Sequence, residues 1–196
     1  MSKVVEFFFD VGSPTTYLAW TQLPALCAQA GASLVYRPTL LGGVFQATGN
    51  ASPATVAAKG RYMNDDMARY AKRYGVPLVV NPHFPINTLT LMRGATGVQL
   101  RLPARFDAYL RGVFKAMWVD GLNLNDPAVA AKALVDAGFD PAEIMALTAD
   151  AEVKAALRAT TEEAVARGAF GAPTMFVGDA MFFGQDRLDF VREALA

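Results

Sequence analysis

Six residues near the start of the chain, Val4-Val5-Glu6-Phe7-Phe8-Phe9, form a β-branched and aromatic run that is too continuous for a strand with one wet face. A strand of this kind, taken here as Lys3 to Asp10, belongs in the middle of a sheet with helices on both sides. Val11-Gly12 ends it. Ser13-Pro14 then supplies an N-cap followed by Pro at the first helical position. The helix that follows, Pro14 to Ala30, has Leu18, Leu23, Leu26 and Cys27 as apolar positions, and Gly31 closes it. Ser33 to Arg37 reads as a second strand, which makes the first 40 residues a β-α-β unit.

From Leu41 to about Ala166 the text is alanine-rich and helical, with repeated start signals. Asp126-Pro127, Asp140-Pro141-Ala142-Glu143 and Asp150-Ala151-Glu152 each put an acid at or just inside a helix start, where it opposes the positive end of the helix. Gly168 closes the last of these helices. Ala172-Pro173 leads into Thr174–Val177, Gly178-Asp179 is a two-residue hairpin signal, and Ala180–Phe183 is the return strand. A final helix is expected from about Asp186 to Leu195. The order β-α-β, helical block, α-β-β-α predicts one mixed sheet flanked by helices and a second, all-helical lobe packed tightly against it.

Composition narrows what such a chain can do. It has 196 residues, 53% hydrophobic and 18% charged, enough to build one sizeable core. Its 18 basic residues cancel its 18 acidic ones, and no Lys/Arg run exists, so nucleic acid is not an expected partner. No window has the length and apolarity of a membrane span. Met1-Ser2-Lys3 runs straight into the first strand without a leader-like segment, which gives the expectation of a cytoplasmic protein. Cys27 is the single cysteine, so there is no intrachain disulfide and no CxxC pair. With one His as well, no metal site is expected.

Three places could carry chemistry. Ser13 stands where a buried strand hands over to a helix N-terminus, and free N–H groups and the helix dipole there favour an anion or thiolate. A plain capping role accounts for the same serine, and the two roles are compatible. In Gly171-Ala172-Pro173-Thr174 the proline precedes a buried strand, so the loop is irregular, its bond could be cis, and the backbone of Ala172 is free to meet a ligand. In Gly184-Gln185-Asp186-Arg187 the acid reads first as a helix cap and second as a ligand contact. Asn50 lies in a turn. Lys59, Arg61, Asp66 and Arg69 form a charged face at helical spacing, which reads as solvated surface. His83 has no Ser or Cys partner at a recognisable spacing, so a hydrolase triad is unsupported. Phe45, Tyr62, Phe84, Trp118 and Phe170 read by default as core. No P-loop and no GxGxxG is present.

Taken in order, these pieces resemble a known family. Phe9-Asp10-x-x-Ser13-Pro14-x-x-Tyr17-Leu18-Ala19, Gly49-Asn50 with Lys59, Gly171-Ala172-Pro173-Thr174 and Gly184-Gln185-Asp186-Arg187-Leu188 are similar to the 2-hydroxychromene-2-carboxylate isomerases. That family is related to kappa-class glutathione transferases and, more distantly, to DsbA-type thiol oxidoreductases. Arg37-Pro38-x-Leu40-Leu41-Gly42, Asn81-Pro82-x-Phe84-Pro85-x-Asn87-Thr88-Leu89 and Ala116-Met117-Trp118 extend the resemblance over the whole chain.

The resemblance implies an α/β, thioredoxin-like domain at 1–40 and 160–196, interrupted by an inserted helical domain at 41–159, with Ala172-Pro173 cis. Ser13 and Thr16 stand where the thiol–disulfide relatives have their CxxC, so this chain cannot cycle a disulfide and must borrow a thiol, which the family takes from glutathione. The resemblance gives Ser13 as donor to the glutathione sulfur. It gives Ala172, beside Pro173, as partner of the cysteinyl backbone, and Gln185 and Asp186 as holders of the γ-glutamyl end. Asn50 and Lys59 contribute from the helical lobe, and Phe84 is a substrate contact. Lys59, Arg61 or Arg93 would hold a substrate carboxylate. The implied activity converts 2-hydroxychromene-2-carboxylate to trans-o-hydroxybenzylidenepyruvate in naphthalene-type catabolism, in a cytoplasmic homodimer. A kappa-like transferase and a non-catalytic glutathione-binding module are the alternatives.

Overall fold

The computed structural model describes residues 3–196; Met1 and Ser2, which enter the expectation of a chain without a leader, lie outside the described residues. The elements run β1 (Val4–Phe9), α1 (Pro14–Gln29), β2 (Ser33–Pro38), α2 (Leu41–Thr48), α3 (Ala57–Tyr74), α4 (Leu89–Arg101) and α5 (Phe106–Trp118). They continue with α6 (Pro127–Asp136), α7 (Pro141–Ala149), α8 (Ala151–Ala166), β3 (Thr174–Val177), β4 (Ala180–Phe183) and α9 (Leu188–Ala194). The sheet order is β2-β1-β3-β4. β1 pairs parallel with β2 and antiparallel with β3, so Phe7 stands opposite Tyr36 on one side and Met175 on the other. This is the thioredoxin-like fold with its helical block between β2 and β3.

The central position of β1 follows from its side chains. Val5, Phe7 and Phe9 join the large core cluster, which continues through Tyr17 and Leu18 of α1 to Leu110 and Phe114 of α5. Phe8 points the other way, into a smaller cluster with Ala164, Ala169 and Phe176. Both faces are therefore dry, and each buried phenyl contributes roughly 2–3 kcal/mol of transfer free energy. Glu6, on the Phe8 side, is neutralised by Arg167 at 2.7 Å, and the same guanidinium lies 3.8 Å from the Phe176 ring centre.

The helix starts expected at Asp126, Asp140 and Asp150 are made by side-chain caps to the amides of Ala128 (2.8 Å), Ala142 (2.9 Å) and Glu152 (2.7 Å). The last helix differs from expectation. A 3-10 turn, Gln185–Arg187, precedes α9, and Asp186 caps neither: its carboxylate pairs with Arg187 at 2.6 Å. The chain leaves Gly184 at φ 100° and ψ 154°, and the Arg187 amide closes back onto the Gly184 carbonyl, which makes the first turn tight. No helix among the described residues is long and apolar enough to cross a membrane.

Candidate active site

The loop from β1 to α1 is pinned from below. The Val11 carbonyl accepts from the Trp118 indole at 2.8 Å, and the Val11 amide meets the Met92 sulfur at 3.4 Å. Ser13 follows in extended conformation as N-cap of α1, with Pro14 inside the first turn. It is only 5% exposed. Its Oγ accepts the Thr16 amide at 3.2 Å, donates to the Ala172 carbonyl at 2.9 Å and lies 2.8 Å from Thr15 Oγ1. Capping and a place at the cleft are thus combined in one hydroxyl. Thr16 is fully buried, and its hydroxyl has no partner among the described residues.

Ala172 is brought against Ser13 by the cis Ala172-Pro173 bond that leads into β3. A second cis bond, Phe84-Pro85, was not foreseen. A Cβ at Gly171 would stand 2.8 Å from the Phe183 ring, which would have to shift to admit it. Gln185 is buried beside them and its carbonyl accepts from the Tyr74 hydroxyl at 2.7 Å.

These groups open onto one cleft of about 990 Å³. Ser13, Asn50, Ala172, Gln185 and Asp186 line its polar end, and Phe45, Met63, Met67, Phe84, Ile86 and Trp118 line an apolar wall. Asn50 stands beside the segment that carries Ala172, donating to the Phe170 carbonyl at 2.8 Å. Phe84, 38% exposed, leans on Trp118 with ring centres 6.2 Å apart. Phe45 and Phe170 are therefore cleft wall where the residues alone read as core, Phe84 lines the cleft as the substrate contact of the resemblance would, and Tyr62 is exposed.

Not all candidates converge. Pro173 shapes the Ala172 bond without lining the cleft, and Lys59 is exposed on the first turn of α3, next to the lining residue Gly60. Arg61 and Arg93 also stand outside it. The charged groups among the described lining residues are Asp10, Asp66 and Asp186, with no Lys, Arg or His. His83 is exposed and outside the lining. Cys27 is buried in α1, and desolvation pushes its thiol up to about 11. Among the described residues no group of three or more His, Cys, Asp and Glu could hold a metal.

Asp10 is the residue the sequence did not single out for a role. Its carboxylate is 1% exposed at the cleft floor and takes three donors, the Gly12 amide (2.8 Å), the Leu41 amide (2.8 Å) and the Thr88 hydroxyl (3.0 Å). Burial raises its pKa, and the three hydrogen bonds oppose that rise. The one signal available was an acid closing an otherwise apolar strand.

Comparison with known proteins follows the same outline. A DSBA-like thioredoxin domain profile matches residues 4–196. The chain is 31% identical over 197 residues to a 2-hydroxychromene-2-carboxylate isomerase of Sphingobium xenophagum, covering 100% of this chain and 99% of that one. It is 29% identical over 211 residues to the human glutathione S-transferase kappa 1, covering 100% and 92%. A solved structure of a 2-hydroxychromene-2-carboxylate isomerase superposes with a TM-score of 0.83 at 29% identity, covering 98% of this chain and 94% of that chain.

Proposed function

The chain belongs to the DSBA-like thioredoxin-domain family, in the group that contains the 2-hydroxychromene-2-carboxylate isomerases, and from that membership we propose that it is a glutathione-dependent isomerase. Its reaction interconverts 2-hydroxychromene-2-carboxylate and trans-o-hydroxybenzylidenepyruvate, a step of naphthalene-type aromatic breakdown. The carrying observation is the Ser13 hydroxyl at the open end of α1, facing an apolar cleft in a fold whose thiol–disulfide members use cysteine there.

The residues present fit glutathione. A hydroxyl donor and the first-turn amides of α1 favour a thiolate. The Ala172 carbonyl faces the same space, beside Pro173, and suits the cysteinyl backbone. Gln185 and Asp186 suit the γ-glutamyl end, the carboxylate taking its ammonium group. Asn50, tied to the Phe170 carbonyl, would contribute at the same polar end. When bound, glutathione would supply a thiolate nucleophile for reversible addition to the substrate alkene and would be regenerated, with Ser13 holding its sulfur and the apolar wall holding the ring.

The chain's own part is to hold the sulfur at Ser13 and to bury the aromatic ring against Phe84 and Trp118, away from water. Lys59, exposed beside the lining residue Gly60, would have to reach inward to meet the substrate carboxylate. A cytoplasmic homodimer belongs to the same reading, and light scattering of the purified protein tests the dimer.

A kappa-like transferase is the second reading, favoured by the lack of a basic side chain among the described residues lining the cleft. Following chromene loss by absorbance while assaying free thiol separates the two. Turnover that requires glutathione and leaves its concentration constant supports the isomerase; stoichiometric consumption supports the transferase; no saturable binding of glutathione rejects both.

A further inference from the structure

Three segments that wall the cleft meet at one carboxylate. Gly12 immediately precedes the Ser13 cap of α1, Leu41 is the first residue of α2, and Thr88 is the N-cap position of α4. The side chain of Thr88 does not cap its own helix; it donates to Asp10 Oδ2, which also takes the Leu41 amide, while Oδ1 takes the Gly12 amide. Leu40 does not cap α2 with its own side chain, and the first amide of α4, that of Leu89, is taken by the Asn87 carboxamide oxygen at 3.1 Å, which leaves the Thr88 hydroxyl free to reach Asp10. The packing around the junction is tight: a Cβ on Gly12 would stand 2.6 Å from Thr88 Cγ2 and 3.3 Å from Asp10 Oδ1. Burying an acid is costly to a fold even when it is hydrogen-bonded, and an apolar side chain of similar size would often serve stability better. The observed junction instead fixes three separate chain segments relative to one another.

We propose that Asp10 is a positioning residue for the thiol chemistry, tying the starts of α1, α2 and α4 together so that Ser13 is held at one distance from Ala172 and the apolar wall. This rests on the role given to Ser13 above. The side chain acts through Ser13 and touches neither the sulfur nor the alkene.

Asp10→Asn keeps the shape but gives one of its three donors, Leu41 or Gly12, an amide N–H2 to face. Thr88→Val removes the 3.0 Å donor alone and serves where Asp10→Asn fails to fold. In ligand-free protein, hydrogen exchange at whichever of the Gly12 and Leu41 amides faces the new N–H2 is expected to quicken about tenfold in Asp10→Asn, with less change in β1 and β3. Unchanged protection there overturns the proposal, whatever the protein turns over. In turnover of 2-hydroxychromene-2-carboxylate with glutathione, Asp10→Asn is expected to lower kcat about 10- to 100-fold with little change in KM, and Thr88→Val to lower it less. In a Ser13→Ala background the same Asp10→Asn change should cost little more. Additive losses, or a rise in KM alone, overturn the proposal. A wild type that neither binds glutathione nor isomerises the chromene would reject the proposed function, and the exchange experiment would still decide whether Asp10 ties the three helices.

Discussion

The amide of Thr16 donates to the Ser13 hydroxyl at 3.2 Å, so the oxygen that faces the cleft is also the one that closes the first turn of α1. Ser13→Ala therefore has two consequences at once. Loss of the cap costs about 1 kcal/mol, a fall in Tm of roughly 2–4 °C for a chain of this length. Loss of the donor lowers glutathione-dependent turnover by about 100-fold or more. Calorimetry and steady-state kinetics on one preparation check both, and a full loss of activity with an unfolded protein would mean that only the cap had been tested.

Phe84→Ala is expected to act on the substrate alone. The ring lines the apolar wall against Trp118 and is remote in sequence from the polar end of the cleft. KM for the chromene should rise about 5- to 10-fold while the glutathione Kd from isothermal titration stays as in the wild type.

Gly94→Ala tests the helical block. A Cβ at Gly94 would lie 2.9 Å from Tyr109 Cζ and 3.4 Å from Ile144 Cγ2, and it would also press on the Tyr109 hydroxyl. That ring is fully buried and its hydroxyl donates to the Leu91 carbonyl at 2.8 Å. Overpacking of this kind costs about 1–3 kcal/mol, so Tm should drop by roughly 2–12 °C, read by thermal unfolding.

Cys27 should be inert in the native protein. It is 2% exposed and desolvation pushes its thiol up to about 11. At pH 8 a colourimetric thiol reagent is expected to find no reactive group until denaturant is added, and then one. The unfolded thiol ionises first as pH rises, so this group's contribution to stability falls between its ordinary value of about 8.5 and about 11.

Most of the frame was legible because its determinants are local. The continuous apolar run made β1 central, Ser13-Pro14 and the Asp caps placed helix starts, and Gly178-Asp179 placed the β3–β4 turn. Asp186 misled because acids near a helix start usually cap, whereas here the tight turn after Gly184 turns its carboxylate to Arg187. Asp10 escaped notice because two of its donors, Leu41 and Thr88, lie 31 and 78 positions away, and no spacing rule joins them. The cleft wall was misread in part for the same reason: an aromatic side chain carries no sequence mark to tell whether it faces a core or a cavity, as Phe45 and Phe170 illustrate.

A hydroxyl has one hydrogen to give, and that of Ser13 rests on the Ala172 carbonyl. Turning it toward a sulfur leaves the carbonyl with only the distant Thr15 hydroxyl, at 3.4 Å. A ligand that carries an N–H next to its thiol replaces the lost donor as it arrives, and a bare thiol does not. On the proposed function, discrimination between a peptidyl thiol and a simple mercaptan would begin at this single exchange of partners, before the ends of the ligand are read.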